Sequence, residues 1–224
     1  MARTATLLEM RTRARESADM VNSLFVSDDE LTRYINEGIS ELHDLLIMQF
    51  GEDYYLKSAS LTITSGDDTS DIPSDFYKIA GIDVPYSGTS YSLKKFDFAE
   101  RNAQILSSDV RNLRYRLVGT TIKFSPVPSS TITATIWYHP YATVLSSNGS
   151  TFDGINGWEE YVVIDAAIKM LNKEESNTNH LLLRKQEIKD RINRVAKARD
   201  TMNPERVRDT ESYVDSYLYP IYEP

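Results

Sequence analysis

The 224-residue chain contains no cysteine, which excludes disulfide staples and thiolate chemistry. The compartment stays open on that ground, with a reducing cytosol favoured. Histidine is nearly as scarce. The three residues, His43, His139 and His180, fall in different stretches and show no metal-ligand spacing. No Gly-x-Ser-x-Gly elbow and no glycine-rich phosphate loop occurs. No apolar run approaches the ~20 residues of a membrane span. Met1 to Ala5 lacks the apolar core of a signal peptide, and no internal repeat is visible. The net charge of −8 and pI near 5.0 argue against a protein that coats nucleic acid, because such binding works by neutralising phosphates. Asp28-Asp29 and Asp67-Asp68 read as cap and turn carboxylates. A metal or glycosidase site needs carboxylates close only in space, so spacing leaves that chemistry open and gives no positive sign of it.

What is present is a set of helices around a β-rich middle. Asn156-Gly157-Trp158-Glu159 reads as a capping box ahead of an apolar helix. Tyr161, Ile164, Ile168 and Leu171 share one face of it. Trp158, Val162 and Ala166 share another, with Val163, Ala167 and Met170 beside them. A helix apolar around most of its circumference is central rather than superficial. Fully burying each large side chain contributes roughly 1.5–3 kcal/mol. After the polar break at Lys173 to Asn179, an amphipathic helix places Leu181, Ile188, Ile192 and Val195 on one side. Its other side carries Arg184, Lys185, Lys189, Arg191, Arg194, Lys197 and Arg199 against Glu187 and Asp190.

Earlier in the chain, Thr6-Leu7-Leu8-Glu9 is a second capping box, opening a helix expected through Val21. Leu7, Ala14, Ala18 and Val21 share a face in which Arg11 also sits, with Arg15 one turn on. These arginines form either a solvated face or a contact with an acidic surface of another chain. Ser27 and Glu30 make a third box, with Val26 and Leu31 as a hydrophobic staple. The helix behind it repeats Leu31, Ile35, Gly38, Leu42 and Leu45, and ends near Gly51. Gly38 would let another helix approach closely.

From Tyr54 to Tyr141 the period is two. Strands are expected near Leu61, over Phe76–Val84 and over Tyr91–Phe96, with a short helix from Asp97 through Leu106. A hairpin turns at Val118-Gly119-Thr120, and a strand runs Thr131–Tyr138. Ser146–Gly154 reads as a polar loop. The final stretch, Thr210–Pro224, has no burying period yet holds four of the 14 tyrosines. Tyr213, Tyr217, Leu218, Tyr219, Ile221 and Tyr222 make it a docking segment, either on its own domain or, as favoured here, on another chain.

This order of features resembles the head-to-tail adaptor (connector) proteins of tailed bacteriophages, including the tail accessory factor type. The resemblance is carried by Asp29–Gly38, by Ile72-Pro73-Ser74-Asp75-Phe76-Tyr77-Lys78-Ile79, and by Ile122–Pro128 before the strand ending Trp137-Tyr138. Trp158–Ala167 with Lys173-Glu174-Glu175-Ser176 completes it. The resemblance implies an α+β protein: a helical bundle with an inserted small antiparallel β-sheet and an extended C-terminal tail. The expected organisation is one adaptor domain over 1–208, with helices in 6–50 and 157–200 and a β-rich insertion at 54–145. Residues 209–224 follow as the docking tail.

It also implies a structural, non-enzymatic virion protein at the neck, made in the host cytoplasm and needing no cofactor. Similar adaptors form a ring, commonly of twelve copies, beneath the portal protein. The ring extends the DNA channel and offers a surface to tail tube, nozzle or tail fibre proteins. DNA would pass through without specific binding, and no membrane is involved. The tail tyrosines would meet the portal, while Arg11, Arg15, Arg184, Arg191 and Arg194 are candidates for contacts between subunits. Two alternatives are a virion-associated peptidoglycan hydrolase and another tail-completion or tail-tube protein.

Overall fold

A computed structural model describes residues 4–22, 24–50, 54–101, 109–153 and 156–197. The chain begins with a short strand, β1 (Thr4–Thr6), and two helices, α1 (Leu7–Ser17) and α2 (Asp28–Phe50). A run of strands follows: β2 (Lys57–Ile63), β3 (Thr69–Asp71), β4 (Phe76–Tyr86), β5 (Thr89–Ser92), β6 (Lys94–Lys95), β7 (Arg114–Val118), β8 (Thr121–Ser125) and β9 (Ile132–Pro140). It closes with β10 (Thr151–Asp153), α3 (Glu159–Lys173) and α4 (Asn179–Lys197).

The expected bundle with one small antiparallel sheet is overturned. The described residues form three sheets, with strand orders β1-β10, β2-β9-β4-β5 and β3-β8-β7-β6. One pairing, β6 with β7, is parallel. The β part is a second body with its own core rather than an appendage. Leu61, Ile82, Val84 and Ile136 of one four-stranded sheet share that core with Tyr115, Ile122 and Phe124 of the other. Two alternating inner faces that meet in this way bury each other. A period of two along single strands shows which residues turn inward, but not that the strands divide into two sheets.

The helical core gathers α1 to α4. α3 is buried on nearly every side, as its composition requires: Tyr161, Val162, Val163, Ala166, Ala167 and Met170 are all in the core. Gly38 of α2 makes this possible. A β-carbon there would lie 3.1 Å from Asp165 Oδ2 and 3.2 Å from Val162 Cγ1 of α3. The close approach expected at Gly38 is therefore present, and α3 is the helix that makes it.

Two of the three capping boxes behave differently from expectation. Thr6 and Glu9 form the full reciprocal pair. Ser27 Oγ accepts from the Glu30 backbone N–H at 3.2 Å, but the Glu30 carboxylate turns to Tyr34 and Lys173. At α3 the cap residue is Trp158, which makes no side-chain cap, and Glu159 instead faces Arg13 at 3.4 Å. α1 stops at Ser17, and Asp19 takes a positive φ of 56°, so Val21 lies outside the helix and is exposed. Val195 is likewise exposed rather than part of the α4 core stripe.

Other local expectations divide the same way. The β7–β8 hairpin forms with the expected turn, pairing Val118 with Thr121. The last long strand has Ala134, Ile136 and Tyr138 inward and Trp137 outward. Tyr91–Phe96 is split between β5 and β6, and Asp97 begins only a 3-10 turn over Phe98–Glu100; residues 102–106 of the expected helix lie outside the described residues. The polar loop Ser146–Gly154 contains β10, which pairs antiparallel with β1 and buries Phe152 against the bundle. Three residues carry too little pattern to reveal a strand whose partner is at the other end of the chain. Asn36 fastens the same return segment, donating to Leu145 O at 3.0 Å and accepting from Leu145 N–H at 2.8 Å.

Replacing Gly38 with Val should cost about 1–3 kcal/mol of stability by forcing α2 and α3 apart. Urea unfolding checks this; an unchanged midpoint would show that the helices can separate freely.

Candidate functional site

The charged groups of the bundle are organised along α2. Its carboxylates Glu30, Glu37 and Glu41 each hold a lysine: Lys173 at 2.7 Å, Lys169 at 2.6 Å and Lys185 at 2.9 Å. Each of these lysines also lies over an aromatic ring. Lys173 is 4.8 Å from the Phe25 centroid, Lys185 is 4.7 Å from Tyr161, and Lys169 is 6.0 Å from Tyr34. A cation over a ring face and beside a carboxylate gains from both.

Asp165, the one acidic residue in the middle of α3, is buried at 5% exposure. Lys185 Nζ reaches its Oδ1 at 2.8 Å and Lys169 Nζ its Oδ2 at 3.0 Å. A buried carboxylate without such partners would cost several kcal/mol or take up a proton. Tyr161 donates to Glu41 Oε1 at 2.6 Å. Burial pushes the Glu41 carboxyl up, but the hydrogen bonds from Tyr161 and Lys185 outweigh it and hold the group below the ordinary range. Burial disfavours charge on Lys185 too, yet Asp165 and Glu41 keep its ammonium charged well above the ordinary lysine range. Nothing in the spacing marked Asp165 as the centre of this network. The available signal was a lone acid in an apolar helix with Lys169 four residues on.

The arginines singled out from sequence fall in two places. Arg11 is 9% exposed, and with Arg15 it holds Asp28 at the start of α2 at 3.2 and 2.9 Å. Arg11 also donates to Asn148 Oδ1, and Arg15 donates to Val26 O at 2.8 Å. Arg184 pairs with Glu160 at 2.9 Å and Glu187 at 3.1 Å. Arg191 reaches Asn156 O at 3.5 Å, and Arg194 reaches Asp190 O at 3.3 Å. Tyr213, Tyr217, Leu218, Tyr219, Ile221 and Tyr222 lie outside the described residues.

His43 and His139 are both buried where the two bodies meet. His43 stacks on Tyr55 at 4.6 Å, and His139 Nδ1 lies 3.1 Å from Tyr54 O. Burial lowers the His43 pKa. A groove of about 730 Å³ runs along α1, lined by Leu8, Glu9, Thr12, Arg13, Glu16 and Glu159. Its described lining contains no histidine, and the Thr12 hydroxyl donates to Leu8 O rather than to a carboxylate. Among the described residues no group of three His, Asp or Glu side chains could hold a metal ion, and no helix is long and apolar enough to cross a membrane.

The ion pairs of the bundle are spent on holding its helices together. The chain belongs to the SU10 adaptor protein family, whose sequence pattern matches residues 5–208 and so spans both bodies. It is a bacteriophage adaptor of the head-to-tail type, as the family resemblance implied. Membership implies a structural role at the neck of the virion, with portal and tail proteins as neighbours. No curated protein matches the chain.

Stability should fall as pH drops below the ordinary glutamate value of 4.5, because Glu41 is depressed in the folded state and must be protonated. Replacing Lys185 with Met should cost about 1–3 kcal/mol, less than for a fully buried pair because the ammonium is partly hydrated and Lys169 remains beside Asp165. Thermal melts of both chains from pH 7 down to about pH 2.5, through the window below the ordinary glutamate value, check this. The K185M chain should show the weaker acid dependence, and equal slopes would contradict the account.

Proposed function

We propose that this adaptor assembles as a ring, of about twelve copies by family resemblance, beneath the portal. The ring extends the channel through which DNA leaves the head and presents a surface to the tail tube, nozzle or fibres. The observation that carries this reading is the family match over residues 5–208, which covers the helical bundle and the β-sandwich alike. The acidic total supports a conduit that does not hold DNA.

The last residues are the portal-binding element in this reading. Tyr213, Tyr217, Leu218, Tyr219, Ile221 and Tyr222 combine large contact area with hydroxyl tips, the composition that protein interfaces favour. A chain ending at Arg208 should fold normally and lose co-sedimentation with purified portal rings. Tyr217→Ala and Tyr219→Ala should each weaken docking by about 1–2 kcal/mol. Full docking by the shortened chain would remove the role given to these tyrosines, and a neck map without a ring at this position would overturn the assembly.

A further inference from the structure

The chain passes from α2 to β2 through Tyr54 and Tyr55. Tyr55 takes a φ of 60°, the left-handed region that a bulky residue adopts only where its surroundings hold it. The imidazole of His43, on α2, stacks on the Tyr55 ring at 4.6 Å. Tyr54 meets Tyr55 edge-on at 4.3 Å, and Tyr77 of β4 meets His43 edge-on at 6.0 Å. His43 is 5% exposed. A strained backbone position at the seam between bundle and β-sandwich is thus pinned by a buried imidazole.

That imidazole sits without the partner a charge needs, since its Nε2 has no hydrogen-bond partner. Two cavities of about 120 and 90 Å³ adjoin it. Around it stand Asp44 on its own helix, Tyr54 and Tyr55 after α2, Tyr77 of β4, His139 of β9 with Tyr141 after it, and Asp153 of β10. Asp44 favours a proton on His43, but it also accepts a hydrogen bond from the Tyr77 hydroxyl. Burial outweighs its pull, and His139 acts in the same direction as burial. Stacking on Tyr55 favours a cation as well, by less than a buried charged N–H without an acceptor costs. His43 therefore takes up a proton far more readily once the seam opens and water reaches Nε2.

We propose that His43 is an acid-sensitive latch: neutral, it closes the seam on Tyr55, and protonated, it lets the seam open at the Tyr54–Tyr55 crossing while the bundle stays folded. Burial lowers the His43 pKa from its ordinary 6.5, so closure is fully favoured above that value and is lost progressively as pH falls below it. This window lies above the one in which Glu41 titrates. With the closed form neutral, an imidazole of ordinary pKa 6.5 shifts the balance toward the open form by roughly 25-fold between pH 7 and pH 5. The latch works within a single copy and is independent of the ring.

Leu145 reports on the seam, because its amide, in the segment returning after β9, donates to Asn36 Oδ1 of α2 at 2.8 Å. Hydrogen exchange of the full chain is read by mass spectrometry at pH 7 and pH 5 and divided by the intrinsic amide rates. Peptides covering 141–145 should exchange about tenfold faster or more at pH 5, while those of α3 stay protected. His43→Phe keeps a ring on Tyr55 that takes no proton, and should abolish the difference. His43→Gln, neutral at both pH values, should also exchange equally at both, and serves alone if the Phe chain does not fold. Equal protection of the parent chain at both pH values overturns the latch. So does an acceleration that persists in the folded variants, or one that spreads through α3, which is loss of the whole fold rather than opening of the seam.

Discussion

The structure depends on burying a helix that is apolar almost all round yet carries a carboxylate. α3 supplies the largest share of the bundle's interior, and Asp165 sits within it at 5% exposure. A negative charge in that position is tolerable only with cations brought to it, and they come from Lys169 on the same helix and Lys185 on α4. Lys185 also binds Glu41, so one ammonium connects α2, α3 and α4. Gly38 is the steric half of the same constraint, since only a residue without a β-carbon leaves room for Asp165 and Val162 against α2 without displacement. The network thereby ties α3 to two of the helices that bury its apolar faces.

The two bodies meet through aromatic residues rather than through a shared core. Tyr54, Tyr55 and Tyr77 come from the β side or its entry, and His43 and Asp44 come from α2. Rings with polar tips suit such a place because they pack flat and still satisfy hydroxyls and imidazoles. The chain crosses this region twice, once after α2 and again after β9. The β-sandwich is thereby held at both ends of its sequence by the bundle, with the Asn36–Leu145 pair fixing the return.

Helix existence was legible in the sequence because the bundle's helices are long, periodic and bounded by caps and breakers. α2 and α3 follow the apolar spacing closely, and the hairpin at Gly119 follows its turn residues. Boundaries were less so. α1 ends before Val21 because Asp19 turns the backbone to positive φ, which the continuing apolar spacing conceals. The capping box ahead of α3 fails because Glu159 is drawn to Arg13, a partner far away in sequence that local spacing does not reveal.

The sequence by itself determined the secondary structure of the bundle, the burial of α3, the alternation of the long strands and the adaptor family. Those depend on interactions within a few residues or on patterns long enough to repeat. Only the tertiary structure decided that the β part is a two-sheet sandwich, that β1 and β10 pair across the chain, and that Asp165, Lys169, Lys185 and Glu41 form one network. Each of these joins residues far apart in the chain, and which distant groups meet is settled by how whole elements pack, where a charge or a missing β-carbon outweighs any local preference.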